Sequence, residues 1–296
     1  MNRLQRQVVA QLESVTGRHD EPSVYGGCDG DVGLMPGGPS SISWEINGDV
    51  GAIAVAGLAA IVMEVLHPSV MAGVETQSTY RTQPLRRAQN TMGYVVRTTF
   101  GSTSAATTMI ERVKRMHATV NGVRPDGVAY RALDPELIAW VHTCIPWAIL
   151  SAYDRYNRRL SVAEKDAYLR EQAVVGRMSG AEVVPETYAD LTAYVEEMRP
   201  LMAFNEQTRS FVEFLCGDTG DAATSAPARE QRERRFGLKA SMQLMPAWAR
   251  KLTGLDLPAA LRPLADAHNA LIARTLRWAY GGPPPFKAMA MERAAS

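Results

Sequence analysis

Cysteine is scarce in this chain of 296 residues: there are three, Cys28, Cys144 and Cys216. They lie far apart and form no C-x-x-C, which argues against a disulfide framework and a cysteine metal centre. An excess of charge of one sign is also missing. The 32 basic and 31 acidic side chains leave a net charge of +1, so the electrostatic footprint of a nucleic-acid binder is absent. No apolar run approaches the roughly 20 residues needed to span a bilayer. The most apolar stretch, VGAIAVAGLAAIVM at 50–63, is bounded by Asp49 and Glu64 and reads as a buried core helix. The first twenty residues hold no apolar segment of the signal-peptide kind, so the expected address is cytoplasmic. Strand alternation and internal repeats are lacking too.

What remains is a pattern of helices. Hydrophobic residues make up 46% of the chain and charged residues 21%, ordinary for a globular protein with a deep core. Residues 1–18 fit a short helix. Residues 19–43, dense in Gly, Pro, Ser and Asp, read as a mobile loop; their glycines do not form G-x-x-x-x-G-K-[ST]. Asp49 can cap a helix to about His67, where Pro68 ends the pattern. A second helix spans Arg81 to Phe100. Ser102 caps a third, to about Val120, with Asn121-Gly122 as a stop. Asp134-Pro135 opens a fourth, apolar nearly all round and therefore central, with Pro146 inside it as a kink. Ser161 and Glu164 form a capping box for a fifth. Further helices fit 186–203, 207–216, 240–253 and 257–280, with 217–235 polar and loose. The reading is an all-α chain of roughly ten helices. It divides into an N-terminal helix and loop (1–43), a helical domain (44–282) and an extended tail (283–296).

The segment RVKRMHATVNG at 112–122 raises the chemical question. In the third helix Ala106, Met109, Ile110, Val113, Met116 and Val120 recur at helical spacing on one face. His117, four residues after Val113, falls on that face rather than among Arg112, Lys114 and Arg115. A buried histidine must satisfy two ring nitrogens, with hydrogen-bond partners or with a metal. His67, in Glu64-x-x-His67, suggests a di-iron carboxylate site, but no second such pair exists. His142 lies on the central helix between Ile138 and Ile145, where packing is the simplest role. His19 and His268 occupy polar settings. On the second helix Arg87 and Thr91 are one turn apart and share a face with Tyr94 and Thr98. A guanidinium and a hydroxyl so placed can hold a carboxylate, dioxygen or a buried water, or form a solvated polar face.

In order, the chain carries EVLHPSVMAGVETQSTYRTQPLRRAQNTMGYVVRTTFG (64–101), RVKRMHATVNG, YRALDPELIAWVH (130–142) and LSVAEKDAY (160–168). This series resembles the catalytic domain shared by rubber oxygenase (latex clearing protein) and the prenyl-chain-cleaving oxygenase of mycophenolic acid biosynthesis. The similarity runs from about Trp44 to Tyr168 and more weakly to about Tyr280. The resemblance implies an all-α domain enclosing a non-covalent b-type haem with a proximal histidine. It places that iron ligand at His117, with His67 and His142 as alternatives. It implies an arginine and a threonine on the oxygen-binding side, matched by Arg87 and Thr91. Rubber-cleaving members carry a lysine directly before that threonine. Here Asn90 stands there, and a neutral amide supplies neither a point charge nor an amine. The family's carboxylate base corresponds to Glu75 or Glu64.

The enzyme reading is a haem-dependent oxidoreductase of secondary metabolism that uses dioxygen or peroxide on a small, largely apolar molecule. Oxidative cleavage, hydroxylation and desaturation all fit. The alternative is a non-catalytic haem-binding or helical interaction protein.

Overall fold

The computed structural model describes residues 1–77, 80–221 and 223–296. Its elements run α1 (Arg3–Thr16), α2 (Pro22–Tyr25), α3 (Ile42–Ile46), α4 (Val50–Val65), α5 (Pro68–Gln77), α6 (Pro84–Phe100), α7 (Thr103–His117), β1 (Asn121–Val123), β2 (Ala129–Arg131), α8 (Pro135–Tyr156), α9 (Val162–Ser179), α10 (Tyr188–Met198), α11 (Glu206–Leu215), α12 (Ala228–Met242), α13 (Ala247–Leu252), α14 (Arg262–Tyr280) and α15 (Pro285–Ala295). Among the described residues the only sheet is the antiparallel pair β1–β2, with Gly122 opposite Tyr130. The all-α reading holds, with this hairpin added.

Helix α4 is the axis of the core. Its small and branched side chains, among them Ala52, Val55, Ala56, Ala59 and Met63, are buried against Trp140, Cys144, Ala148 and Ile149 of α8. Helix α14 crosses on another side so closely that a Cβ on Gly51 would lie 2.6 Å from the Ala273 carbonyl oxygen. Only glycine permits that approach. Asp49 starts α4 by accepting from the Gly51 and Ala52 amides. Its carboxylate also accepts from Asn157 at 2.7 Å and pairs with Arg277 at 2.8 Å. One cap therefore fastens the ends of α4 and α8 to α14.

The caps read from sequence are in place. Ser102 accepts from the Ala105 amide, Asp134 from the Glu136 amide, and Ser161 and Glu164 complete their capping box. Pro68 does not simply stop a helix. It begins α5, which leaves α4 at a bend of 102°. No single helix among the described residues is long and apolar enough to cross a membrane.

Three expectations need correction. The tail is not extended: α15 starts at Pro285, and its Phe286 packs on Phe100 with ring centroids 5.1 Å apart. Loop 19–43 is not left loose, because the buried guanidinium of Arg293 on α15 gathers its carbonyls. Arg293 donates to the backbone oxygens of Tyr25 at 2.6 Å, Asp31 at 2.6 Å and Phe100 at 3.0 Å. The Asp31 carboxylate in turn accepts from the Thr103 amide and hydroxyl at the head of α7. Finally, the polar stretch 217–235 is half helix. Helix α12 begins at Ala228, braced on its outer face by Arg229–Glu233 and Glu230–Arg234 one turn apart, and its far end buries Leu238 and Met242.

Candidate functional site

Helices α6 and α7 form an antiparallel hairpin that turns at Gly101 and Ser102. The turn is tight: a Cβ on Gly101 would meet the Arg97 carbonyl oxygen at 2.4 Å. Folding back at this point sets the beginning of α6 beside the end of α7, so Arg87 and His117 share one end of the hairpin. The far half of α6 (Val95, Val96, Phe100) is buried, while its first half rises from the core. Leu85 is 52% exposed there, and Met116, next to His117, is 56% exposed. Met116 thus leaves the apolar face of α7, which continues through Ala106, Ile110 and Val113 to a half-buried His117.

Arg87 is the electrostatic hub of this end. Its guanidinium lowers the proton affinity of Glu64 and, after burial, adds to the lowering of His117. Glu64 and the Tyr80 hydroxyl act back on Arg87. Glu64 sits on the last turn of α4 with its carboxyl buried. Burial pushes its pKa from the ordinary 4.5 up to about 7, against the pull of Arg87. Desolvation outweighs the Arg87 charge because a carboxylate loses more hydration there than one nearby cation restores. Trp140 donates from its indole nitrogen to the Glu64 backbone oxygen at 3.1 Å. The Cys144 thiol, one turn along α8, is pushed up by burial and then by Glu64.

The two candidate carboxylates therefore differ in kind. Glu75 accepts from the Tyr80 hydroxyl at 2.6 Å and pairs with Arg81 at 3.2 Å, which commits both its oxygens. Glu64 is buried, faces Arg87 and is poised near neutrality.

Thr91 and Asn90 are exposed on α6. Thr98 and Thr99 on the same helix fold back on the carbonyls of Tyr94 and Val95 at 2.8 Å each. The Thr91 hydroxyl makes no such bond among the described residues, so it is free to meet an added group.

The three histidines fall in three settings. His117 makes no side-chain hydrogen bond among the described residues, and burial with the Arg87 charge holds its ring neutral. His67, at the α4–α5 corner, accepts from the Ser69 amide at 3.2 Å. Burial, and then Arg124, lower its pKa to about 4. His142 is half-buried between α8 and α9. A Cβ on Gly176 would come within 2.7 Å of its ring, and burial lowers its pKa to about 4. The groups that act on His142 do not include Arg87 or Glu64. His268 stacks edge-on against Phe236 at 5.4 Å, and His19 leans on the Thr16 carbonyl at 2.9 Å. No cluster of three or more His, Cys, Asp or Glu side chains stands ready for a metal among the described residues.

Sequence reasoning brought together Arg87, Thr91 and His117 but passed over Tyr80, Trp140 and Cys144 as contributors to this end. The i, i+4 spacing of Trp140 and Cys144 on the central helix was the available signal; that they face Glu64 is a tertiary fact. A family model for the ER-bound oxygenase mpaB/B'/rubber oxygenase catalytic domain matches residues 44–279. The match begins at the buried Trp44 and ends in the last turn of α14, outside α1, α2 and α15. No curated protein and no solved structure matches the chain.

Proposed function

The chain belongs to the family of the mpaB and rubber oxygenase catalytic domain, and from that premise we propose that it is a b-type haem-dependent oxygenase acting on a small, largely apolar metabolite. The family makes it an oxidoreductase of the oxygenase kind. The haem, the substrate class and the roles of individual residues are our reading.

The observation that carries the reading is the His117 imidazole. It ends an apolar helix face, is held neutral, and has both ring nitrogens without a hydrogen bond among the described residues. Neutral imidazole is the form that ligates iron. Met116, large, apolar and exposed next to it in the chain, is what a flat apolar ring would cover. The residues therefore fit the cofactor: His117 would hold the iron, and Arg87 could meet a carboxylate of the haem. Bound haem would supply the redox chemistry with dioxygen or peroxide.

The chain's own groups do the rest. Arg87 and Thr91 present a charged and a neutral donor, one turn apart, for negative charge that develops on oxygen. Glu64, with a pKa of about 7, can take or return a proton near neutral pH, where a general base or acid works best. Asn90 adds an amide and no charge, so this side of the pocket is less cationic than in rubber-cleaving relatives. Val123, Val128 and Leu133, exposed on and after the β-hairpin that follows His117, offer apolar contact to a prenyl chain or an aromatic body.

The test is turnover of the haem-reconstituted protein with isotopically labelled dioxygen and a panel of prenylated and aromatic compounds. Label in a product supports the reading. A closed, six-coordinate iron that responds to none of them supports a haem-binding protein without catalysis.

A further inference from the structure

Helix α14 carries an apolar ridge on its outer side. Leu264, Leu271 and Trp278 are 56%, 66% and 45% exposed, spaced seven residues apart. The line they form is about 21 Å long. Helix α1 extends it: the Gln5 amide donates to the Trp278 carbonyl at 2.9 Å, and Leu4 beside it is 58% exposed. The buried faces of α14 and α1 are fully used, by Ala265, Ala273 and Leu276 and by Val9. The ridge therefore adds nothing to the core, and scattered exposure alone does not produce four large apolar residues in one line.

Four arginines without an acidic partner among the described residues lie around it. Arg274 lies on α14 between Leu271 and Trp278, and Arg3 and Arg6 flank Leu4. Arg232 sits one turn before Phe236, which stacks on His268 of α14. None of these four arginines forms an ion pair among the described residues; Arg6 reaches only the Met1 carbonyl. The nearest acid on α14, Asp266, is already held by Arg155 and Tyr156. A chain with a net charge of only +1 thus gathers unpaired cations along this apolar ridge.

Two occupants could cover such a ridge, a second copy or a lipid surface. A helical seam between copies needs large apolar residues at the intervening positions as well. Here those positions are Ala267 or His268 and Arg274 or Thr275, so half of the seam is missing. An interfacial helix needs what is present: Leu and Trp in one line, a tryptophan at the edge, and arginines able to reach headgroups while their stems lie along apolar surface. We propose that the α14–α1 ridge is a docking surface for an anionic lipid bilayer, on which the protein rests without spanning it. This reading does not depend on the haem.

Co-sedimentation with vesicles tests it, using phosphatidylcholine alone and phosphatidylcholine mixed with phosphatidylserine. The wild-type protein should pellet with the anionic vesicles and be released by salt. Replacing Arg3 and Arg274 by alanine should weaken binding about fivefold for each arginine lost. Leu271→Ser with Trp278→Ser should weaken it at least about tenfold at any salt. All four side chains point away from the core, so an unchanged melting curve certifies each variant's fold. Failure to pellet, or equal pelleting of wild type and variants, overturns the proposal. So does a lipid-free dimer that Leu271→Glu dissociates, which would give the ridge to a second copy.

Discussion

Exchanging Glu64 for glutamine keeps the shape of a buried side chain and removes its charge. The folded state raises the Glu64 pKa from 4.5 to about 7, so between those values the folded chain holds a proton that the unfolded chain has released. Stability contributed by the neutral form is therefore present at low pH and is lost as pH rises through this window. The shift corresponds to about 3 kcal/mol, since one pKa unit is about 1.4 kcal/mol. Glu64→Gln should match the wild type near pH 4.5 and exceed it by up to about 3 kcal/mol at pH 8. Urea denaturation at the two pH values reads this directly. Arg87→Ala should steepen the wild-type pH dependence, because the Arg87 charge opposes the rise; in the Glu64→Gln background that steepening should disappear. If Glu64 also handles a proton in the reaction, the glutamine variant gains stability while it loses turnover, as buried catalytic groups do. An unchanged stability difference between the two pH values, or a variant less stable at pH 8, would show that Glu64 is ionised at little cost and is not poised near neutrality.

His117→Ala should abolish haem retention measured by gel filtration with Soret detection, while His67→Ala and His142→Ala keep it; His142→Ala should lower stability by about 1–3 kcal/mol through the space opened against Gly176. Thr91→Val should leave melting unchanged and slow turnover roughly a hundredfold or more, the loss of about 2.7–4 kcal/mol typical of a donor to developing oxyanion charge. Arg293→Ala should cost at least about 3 kcal/mol, because three backbone carbonyls lose a buried cationic donor together, and loop 19–43 should become the first site of limited proteolysis. Gly51→Ala should destabilise by about 1–3 kcal/mol, since α4 and α14 must part to admit a methyl group.

The helices were legible where a cap and an apolar period agreed. Asp49, Ser102, Asp134 and Ser161 start their helices as their side chains predict, because capping is decided within four residues. Legibility failed where distant contacts decide. The α15 sequence has no strong period of its own; it becomes a helix that docks because Arg293 finds three carbonyls from two other segments. Helix α12 looks like a linker by composition, and its burial depends on α4 and α14. At the candidate site the spacing of Arg87 and Thr91 and the place of His117 on a core face were visible in the sequence. The choice between Glu64 and Glu75 was not. It rests on Tyr80 and Arg81 engaging Glu75, and on the depth of Glu64 under α8. Met116 shows the reverse error: hydrophobicity put it on the buried face, and the geometry of the last turn of α7 leaves it outside.

The central claim is that His117 ends its helix face as the ligand of a haem. The most direct test is the absorption spectrum of protein purified from haem-replete cells, with a pyridine-haemochrome assay on wild type and His117→Ala. The account predicts a Soret band and one b-type haem per wild-type chain, and neither in the folded variant. A folded but colourless wild-type protein, or a His117→Ala variant that retains its full haem, would contradict it.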